Sequence, residues 1–205
     1  MCYSFGMNEH LRPASLPHTT QAADGLPRRR FSVAEMRAMA EAGILDPDER
    51  FELIGGEAVP MNPKGIPHER IKVALLRFWM RAAPDNIGVI PETTFTLSDD
   101  TFLEPDITVY PIPPSLEGLN GPTALLCVEV SDSSLAYDRG RKAGIYASFG
   151  VREYWSINAS TLETRIHRDP GPSGYATILE KAVGDQLMPL LVPSLRVTLG
   201  ALALP

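Results

Sequence analysis

The segment LLCVEVSDSSLAYDRGRKAGIY, residues 125–146, joins a strand pattern to a helix pattern and carries charged residues in both. Its first half is almost continuously apolar, which is typical of a strand covered on both faces of a sheet. Glu129 nevertheless lies at its centre. In the second half, Asp138, Lys142 and Tyr146 recur every four residues and therefore share one face of a helix. This strand followed by a helix predicts an α/β fold.

The elements around this segment predict one mixed β-sheet with helices packed on its faces. A short N-terminal helix should begin at Ser32, which forms a capping-box pattern with Glu35. Gly55-Gly56 indicates a hairpin, and residues 67–84 have the clearest amphipathic helix pattern. Further strand patterns occupy residues 86–98, 102–111, 151–158, 161–168 and 174–180, and residues 192–199 form a last strand or an edge segment.

We expect two regions in the chain. Residues 1–29 contain Pro13, Pro17 and Pro27 and have no apolar periodicity, which predicts a flexible N-terminal arm. This arm ends in the basic triplet at residues 28–30, which is either a solvated tail or a phosphate contact. Residues 30–205 are predicted to form a single domain.

Composition limits the class of protein. The 205 residues are 44% hydrophobic and 21% charged, as in a soluble globular domain, and no apolar run is long enough to span a membrane. With only Cys2 and Cys127, a disulfide framework is excluded and a reducing cytoplasm is the expected compartment. The net charge of −6 argues against coating nucleic acid by bulk electrostatics, but leaves open an enzyme that acts on it.

Two acidic residues lie where neighbouring strands are predicted. Asp106 follows Pro105 in EPDITVY, where a simple turn is the alternative, and Glu129 could instead face solvent. Two carboxylates about 4 Å apart repel by roughly 4 kcal/mol at an effective dielectric of 20. Such a pair requires either a protonated carboxyl or a bound cation. Oxygen-only ligands suit Mg²⁺ or Mn²⁺, whereas the lack of a Cys or His cluster disfavours zinc.

Lys142 and His68 each have an ordinary and a functional interpretation. Lys142 could form a surface salt bridge with Asp138, four residues before it, which contributes only about 0.2–0.5 kcal/mol. It could instead point over the sheet toward Glu129, where it would orient a nucleophilic water or offset charge on a phosphate. His68, at the start of the amphipathic helix, is a cap, a surface residue or a site residue.

The order Glu52, Pro105-Asp106, Glu129-Val130-Ser131 and Lys142 resembles the PD-(D/E)XK nuclease superfamily, which has the restriction-endonuclease-like fold. More closely, the chain is similar to the Uma-type endonuclease family of small bacterial proteins. The superfamily pattern has lysine two residues after the acid, where this chain has Ser131. In the Uma-type family the lysine lies on the following helix, as Lys142 does. The resemblance spans residues 31–202 and is carried by FELIGGE, PKGIPHERI, EPDITVY, VEVSDSSLAYDRGRKAGIYASFGVREYWSI and LVPSLRVTLGAL.

The resemblance implies roles for individual residues. Asp106 and Glu129 would bind Mg²⁺ or Mn²⁺, with the backbone carbonyl of Val130 as a further ligand. Glu52 would complete the acidic set, and Lys142 would be the catalytic lysine. His68 matches the family's histidine before the helix and would contact metal or phosphate. Beyond the resemblance, we expect substrate or accessory contacts from His68, Ser131, Asp138 and Tyr146.

The function implied is that of a metal-dependent endonuclease, with nucleic acid as the partner and DNA as the expected substrate. The alternative is a catalytically weak or inactive binding module of the same fold, which the pI of about 5.2 and Ser131 favour. An enzyme acting on a small phosphorylated metabolite is a third possibility. We also expect a homodimer formed through residues 187–204, although this apolar tail could instead pack on its own sheet.

Overall fold

The computed structural model describes residues 27–46, 48–113 and 116–205. The arm predicted for residues 1–29 therefore lies outside the described residues, apart from its last three. Within the basic triplet, Arg29 pairs with Glu35 at 2.8 Å, and Arg30 donates to the carbonyl of Gly55 at 2.6 Å and pairs with Asp100. These two arginines thus contact the domain rather than forming a solvated tail.

The helices follow the predicted positions. The capping box is confirmed, because the Ser32 hydroxyl accepts from the Glu35 amide at 3.1 Å and the Glu35 carboxylate accepts from the Ser32 amide at 2.8 Å. The predicted helix after residue 131 is also confirmed, with one π-helical turn, Asp138–Lys142, in its middle. The helices are α1 (Val33–Glu41), α2 (Ile66–Ala82), α3 (Leu135–Tyr137) and α4 (Ala143–Ser148).

The strands form two sheets. The predicted mixed sheet is the larger one, with strand order β10-β9-β8-β7-β6-β3 and a single parallel pair, β7 with β8. The smaller sheet is antiparallel, has the order β2-β1-β5-β4 and contains the predicted hairpin. The bounds are β1 (Phe51–Ile54), β2 (Glu57–Pro60), β3 (Ile87–Pro91), β4 (Phe95–Ser98), β5 (Thr101–Leu103), β6 (Ile107–Pro111), β7 (Leu126–Ser131), β8 (Glu153–Asn158), β9 (Thr164–Gly171) and β10 (Gly174–Lys181).

The prediction of one sheet was incomplete because two predicted strands are each divided. Residues 86–98 split after Pro91, and residues 102–111 split at Pro105, so that each contributes to both sheets. Proline has no N–H to donate to a ladder and is confined to strand ends, edges and bulges. Beside this break Glu92 adopts φ 46° and donates its amide to the carbonyl of Asp106 at 3.3 Å. The two breaks therefore lie side by side.

The C-terminal tail packs against its own chain. Instead of a last strand, it forms two 3₁₀ turns, Pro193–Leu195 and Leu199–Ala201, and a single antiparallel bridge. The carbonyl of Leu195 accepts the indole N–H of Trp79 from α2 at 2.7 Å. Five apolar side chains of the tail are buried in the core formed by α2 and the larger sheet: Leu187, Val192, Leu195, Val197 and Leu199.

A second core lies on the opposite face of the larger sheet, under α4. Tyr146 of α4 packs against Tyr154 of β8 with ring centroids 4.8 Å apart. Cys127 is buried there as a free cysteine. Within the described ranges, no helix is long and apolar enough to cross a membrane. The two cores hold β6 and β7 between α2 and α4, and these two strands carry the candidate site.

Candidate active site

The predicted acidic residues meet at one cavity of about 380 Å³. β6 and β7 are antiparallel neighbours with Ile107 opposite Val128, and continuing this register places Asp106 opposite Glu129. Glu129 is thus a buried strand residue rather than a solvent-facing one, and Asp106 lies in a bend directly before β6, at the irregular strand beginning that Pro105 predicted. The charged side chains that line the cavity are the carboxylates of Glu52, Asp106, Glu129, Asp132 and Asp138 and the ammonium groups of Lys64 and Lys142, together with His68.

The Asp106 carboxylate is almost fully buried and contacts three polar groups of the protein. Its Oδ1 accepts from Lys64 Nζ at 2.8 Å. Its Oδ2 accepts from the Val130 amide at 2.7 Å and lies 2.8 Å from His68 Nε2. Burial alone would raise the pKa of Asp106, but His68 and Lys64 hold this pKa at about 2. The carboxylate is therefore ionised.

Glu129 and Glu52 share Lys142. Its Nζ lies 2.7 Å from Glu129 Oε1 and 2.8 Å from Glu52 Oε1, and all three side chains are buried. Lys142 thus points over the sheet, as one of the two interpretations predicted, and forms no ion pair with Asp138 in the described part of the chain. Burial raises the pKa of Glu129 well above its usual range, and Lys142 offsets this only in part. Despite burial, Glu129 and Glu52 raise the pKa of Lys142.

Tyr146 and Asp138 lie on the same buried side of the helical segment as Lys142, as their spacing predicted. The Tyr146 hydroxyl donates to Glu129 Oε1 at 2.8 Å, behind the cavity lining. The Asp138 carboxylate accepts from the Ser134 hydroxyl at 2.5 Å, and burial raises the pKa of Asp138. Ser131 is buried at the end of β7 and does not line the cavity. The structure therefore does not bring Ser131 to the cavity surface with the others.

Asp106 belongs to a closed ring of contacting ionisable side chains. Four members of this ring were not predicted from the sequence. Lys64 links Asp106 to Glu92 at 2.5 Å, and Lys72 links Glu92 to Glu69 at 2.7 and 2.8 Å. The ring closes through His68, whose Nδ1 lies 3.2 Å from Glu69. Lys72, on α2, is buried. The spacing of Glu69 and Lys72, i and i+3 on α2, was the one sequence signal for part of this ring. The members missed are Lys64, Glu69, Lys72 and Glu92.

The side chains that line the cavity favour the binding of a divalent cation in one respect and disfavour it in another. Five carboxyl groups and only two ammonium groups line the cavity, and oxygen ligands suit Mg²⁺ or Mn²⁺. However, both oxygens of Asp106 already receive protein donors, and no three His, Cys, Asp or Glu side chains in the described ranges are grouped at metal-binding geometry. Because Lys64 is the one donor to Asp106 Oδ1 among the residues that the structure describes, an ion that binds this oxygen needs to displace a single ammonium group.

Comparison with known proteins places the chain in a family. Residues 33–200 match the family described as "Uma2: Putative restriction endonuclease", and the chain belongs to this family. The structure is similar to a crystal structure of "a putative nuclease belonging to DUF820 from Anabaena variabilis", with a TM-score of 0.60 and 16% identity over 83% of this chain and 96% of that one. At this identity the likeness shows the fold. Among curated proteins, none matches the chain. The predicted family and fold class are confirmed.

Proposed function

We propose that this chain is a metal-dependent endonuclease that hydrolyses the phosphodiester backbone of nucleic acid. One observation carries the proposal: Asp106, directly before β6, and Glu129, on the adjacent strand β7, line the same cavity, with Lys142 Nζ 2.7 Å from Glu129. The proposal is supported by membership of the family described as "Putative restriction endonuclease". DNA is the expected substrate.

The residues that would hold Mg²⁺ or Mn²⁺ are Asp106, Glu129 and the backbone carbonyl of Val130, all of which line the cavity. A bound divalent ion supplies two things to such a reaction: it lowers the pKa of an attacking water and neutralises charge on the phosphate. Glu52 completes the acidic set, because its carboxylate and that of Glu129 both contact the Lys142 ammonium group. Its position on β1 brings the smaller sheet into the site.

The chain's own groups would prepare the site for an anionic substrate. Lys142 is an ammonium held between two carboxylates, so its contribution is to stabilise the negative charge that builds on the phosphate. Tyr146 fixes the orientation of the Glu129 carboxylate by donating to Oε1. His68 and the Val130 amide do the same for Asp106 Oδ2. Lys64, also on the cavity surface, is a further cation within reach of a bound phosphate.

Purified protein incubated with plasmid DNA or with RNA tests the proposal directly. We expect cleavage with Mg²⁺ or Mn²⁺, none in excess chelator, and a loss of about 100-fold or more in Asp106→Asn. The matched control is Asp85→Asn, because Asp85 is an exposed carboxylate outside the cavity. Absence of cleavage under all metal conditions, or equal cleavage by Asp106→Asn, would overturn the enzymatic proposal.

A second candidate function is a nuclease-fold module that binds but does not cleave. The observation that favours it is the saturation of both Asp106 oxygens by Lys64, His68 and Val130. Thermal unfolding with added Mg²⁺ or Mn²⁺ separates the two candidates. An ion at 100 times its Kd stabilises a protein by about 2.7 kcal/mol, so a functional centre gives a rise in Tm that Glu129→Gln removes. A non-catalytic module gives no such rise.

The proposal also includes a homodimer and a cytoplasmic location. Five apolar side chains of the tail that suggested dimerisation are buried in its own core, but Met188, Leu190, Leu191 and Leu204 are exposed. Light scattering coupled to size-exclusion chromatography measures the oligomeric state. Fractionation of cells that express the chain measures its compartment.

A further inference from the structure

A second cavity of about 570 Å³ lies between the C-terminal half of α2 and the C-terminal tail. It shares no lining residue with the active-site cavity. Arg77 and Arg81 reach it from α2, and Arg196 reaches it from the tail. Its lining contains no Asp or Glu. A basic cavity in a chain with a net charge of −6 requires an explanation.

The side chains of the three arginines have no ion pair or hydrogen bond to any residue in the described ranges. Arg165 and Arg168, by contrast, pair with Glu180 and Glu153. Arg77 and Arg81 are also four residues apart on one helix, a spacing at which like charges repel. The fold therefore gains nothing from this grouping, and an anion bound between the guanidinium groups would relieve the repulsion.

The remaining lining residues narrow the chemistry of the ligand. Guanidinium groups present planar pairs of N–H donors that match phosphate oxygens. Gln186 and Thr198 can add neutral hydrogen bonds at the wall. Phe78 is 40% exposed beside the arginines, so an aromatic face is available to a flat ring. Phosphate together with a planar base is the chemistry of a nucleotide.

We infer that this cavity is a second binding site for nucleotide phosphates, separate from the cleavage site. The ligand is a phosphodiester segment of nucleic acid or a free nucleotide, and the choice of nucleic acid rests on the proposed nuclease function. The active-site cavity, with five carboxylates and two lysines, attracts nucleic acid poorly by itself. A basic site elsewhere on the same molecule supplies the phosphate attraction that this acidic cavity lacks.

α2 links the two sites. His68, in its first turn, lines the active-site cavity, and Arg77 follows nine residues later. At 1.5 Å per residue the two positions are about 14 Å apart along the helix axis and face opposite sides of it. At about 3.4 Å per nucleotide along a strand, a polynucleotide needs to extend over at least four nucleotides, passing across α2, to contact both.

The test is a binding measurement with metal chelated, so that cleavage does not interfere. Fluorescent 20-nucleotide single strands and duplexes are titrated with wild type and with a triple variant, Arg77→Gln, Arg81→Gln and Arg196→Gln. The charge-matched control carries Arg37→Gln, Arg152→Gln and Lys181→Gln, which likewise have no partner in the described ranges and lie away from both cavities. A second arm measures adenosine monophosphate and inorganic phosphate by calorimetry. Circular dichroism confirms that each variant is folded.

We expect the triple variant to bind the duplex roughly tenfold or more weakly, with a salt slope reduced by up to about 2.7, since each lost phosphate contact removes about 0.9. The control should bind nearly as wild type does. If the triple variant loses adenosine monophosphate binding but keeps polynucleotide binding, the site is supported and its ligand is a free nucleotide. Wild-type binding by the triple variant in both arms, or an equal loss in the control, overturns the inference. A protein that binds through these arginines but never cleaves contradicts only the proposed nuclease activity.

Discussion

Lys142 Nζ lies 2.7 Å from Glu129 Oε1 and so connects the helical segment to the strand beneath it. The same ammonium lies 2.8 Å from Glu52, which belongs to the other sheet. One cation therefore joins the larger sheet, the smaller sheet and the helical segment at the cleft. Its removal should affect both stability and activity, and the two effects can be separated.

Replacing Lys142 with methionine should lower the free energy of unfolding by about 3–5 kcal/mol, because two buried carboxylates lose their shared cation. Urea denaturation at pH 7 measures this change. Adding Glu52→Gln to the variant should recover part of the loss, since one of the uncompensated carboxylates is then neutral. Neither variant should cleave nucleic acid, because both lack Lys142. A loss of stability below about 1 kcal/mol would show that Lys142 is not the principal counter-ion.

Replacing Tyr146 with phenylalanine removes one hydrogen bond to Glu129 and leaves the ring packing in place. We expect a loss of about 1 kcal/mol in stability and a fall in cleavage rate of roughly ten- to a hundredfold, because a catalytic carboxylate loses its orientation. Tyr175→Phe is the control, since the Tyr175 hydroxyl donates to the carbonyl of Val151 at 2.7 Å, away from the cleft. Its stability loss should be similar and its cleavage rate unchanged. Equal rates in the two variants would contradict a positioning role for Tyr146.

Glu92→Gln removes one charge from the ring that contains Asp106, and the resulting loss in the free energy of unfolding should depend on pH. Although burial opposes ionisation, Lys64 and Lys72 lower the pKa of Glu92 from 4.5 to about 2. Between these values the unfolded chain binds more protons than the folded one, so the stability that Glu92 contributes above pH 4.5 is lost as the pH falls. Because the side chain is partly exposed, we expect a difference from wild type of only about 1 kcal/mol at pH 7.

Denaturation of wild type and Glu92→Gln at pH 7 and at about pH 3 tests this expectation, and the difference should shrink at the lower pH. A difference that stays constant would mean that Glu92 acts through packing rather than through its charge. The exposed Glu49→Gln serves as the control for a general effect of removing one acid.

His167 should make the fold sensitive to mild acid. It is buried on β9, with ring centroids 5.3 Å from Tyr154 and 5.5 Å from Tyr175. Burial, with a smaller contribution from Arg165, lowers the pKa of His167 from 6.5 to about 4. The unfolded chain therefore binds more protons in this window, and stability is lost as the pH falls through it.

In His167→Phe a neutral ring is retained at all pH values. The variant should gain stability relative to wild type as the pH falls from about 7 to about 4.5. Thermal unfolding of both proteins across this range is the measurement. Parallel curves would show that His167 already accepts a proton in the folded state.

The sequence predicted the residues that carry their own local signal. Glu129 was recognisable because a carboxylate interrupts an apolar strand, and Lys142 because its spacing from Asp138 and Tyr146 defines one helix face. The helix before the hairpin followed from the capping box of Ser32 and Glu35. In each case the signal lies within a few residues of the position it concerns, where strand or helix periodicity determines the direction of a side chain.

The ring around Asp106 and the second sheet could not be predicted, because both depend on pairing between distant segments. Glu92 reaches Lys64 and Lys72 only because the chain turns at φ 46° immediately after β3. Likewise, β5 pairs with β1 through Leu53 and Phe102, which no local pattern relates. Pro105 indicated an irregular strand beginning, but a proline marks a strand end, an edge or a bulge and does not show that the segments on its two sides belong to different sheets.

The π-helical turn from Asp138 to Lys142 makes the length of this helical segment part of the site. A π-helical turn holds one residue more than an α-helical turn, so deleting one residue inside it, for example Gly140, would leave a regular helix and keep the direction of Tyr146. Inserting one residue there would rotate everything after it by about 100° and turn Tyr146 away from Glu129, although every side chain of the site was still present. Substitutions test which groups the proposed activity needs, whereas single-residue deletions and insertions at Gly140 would test how strictly their phase around the helix axis is required.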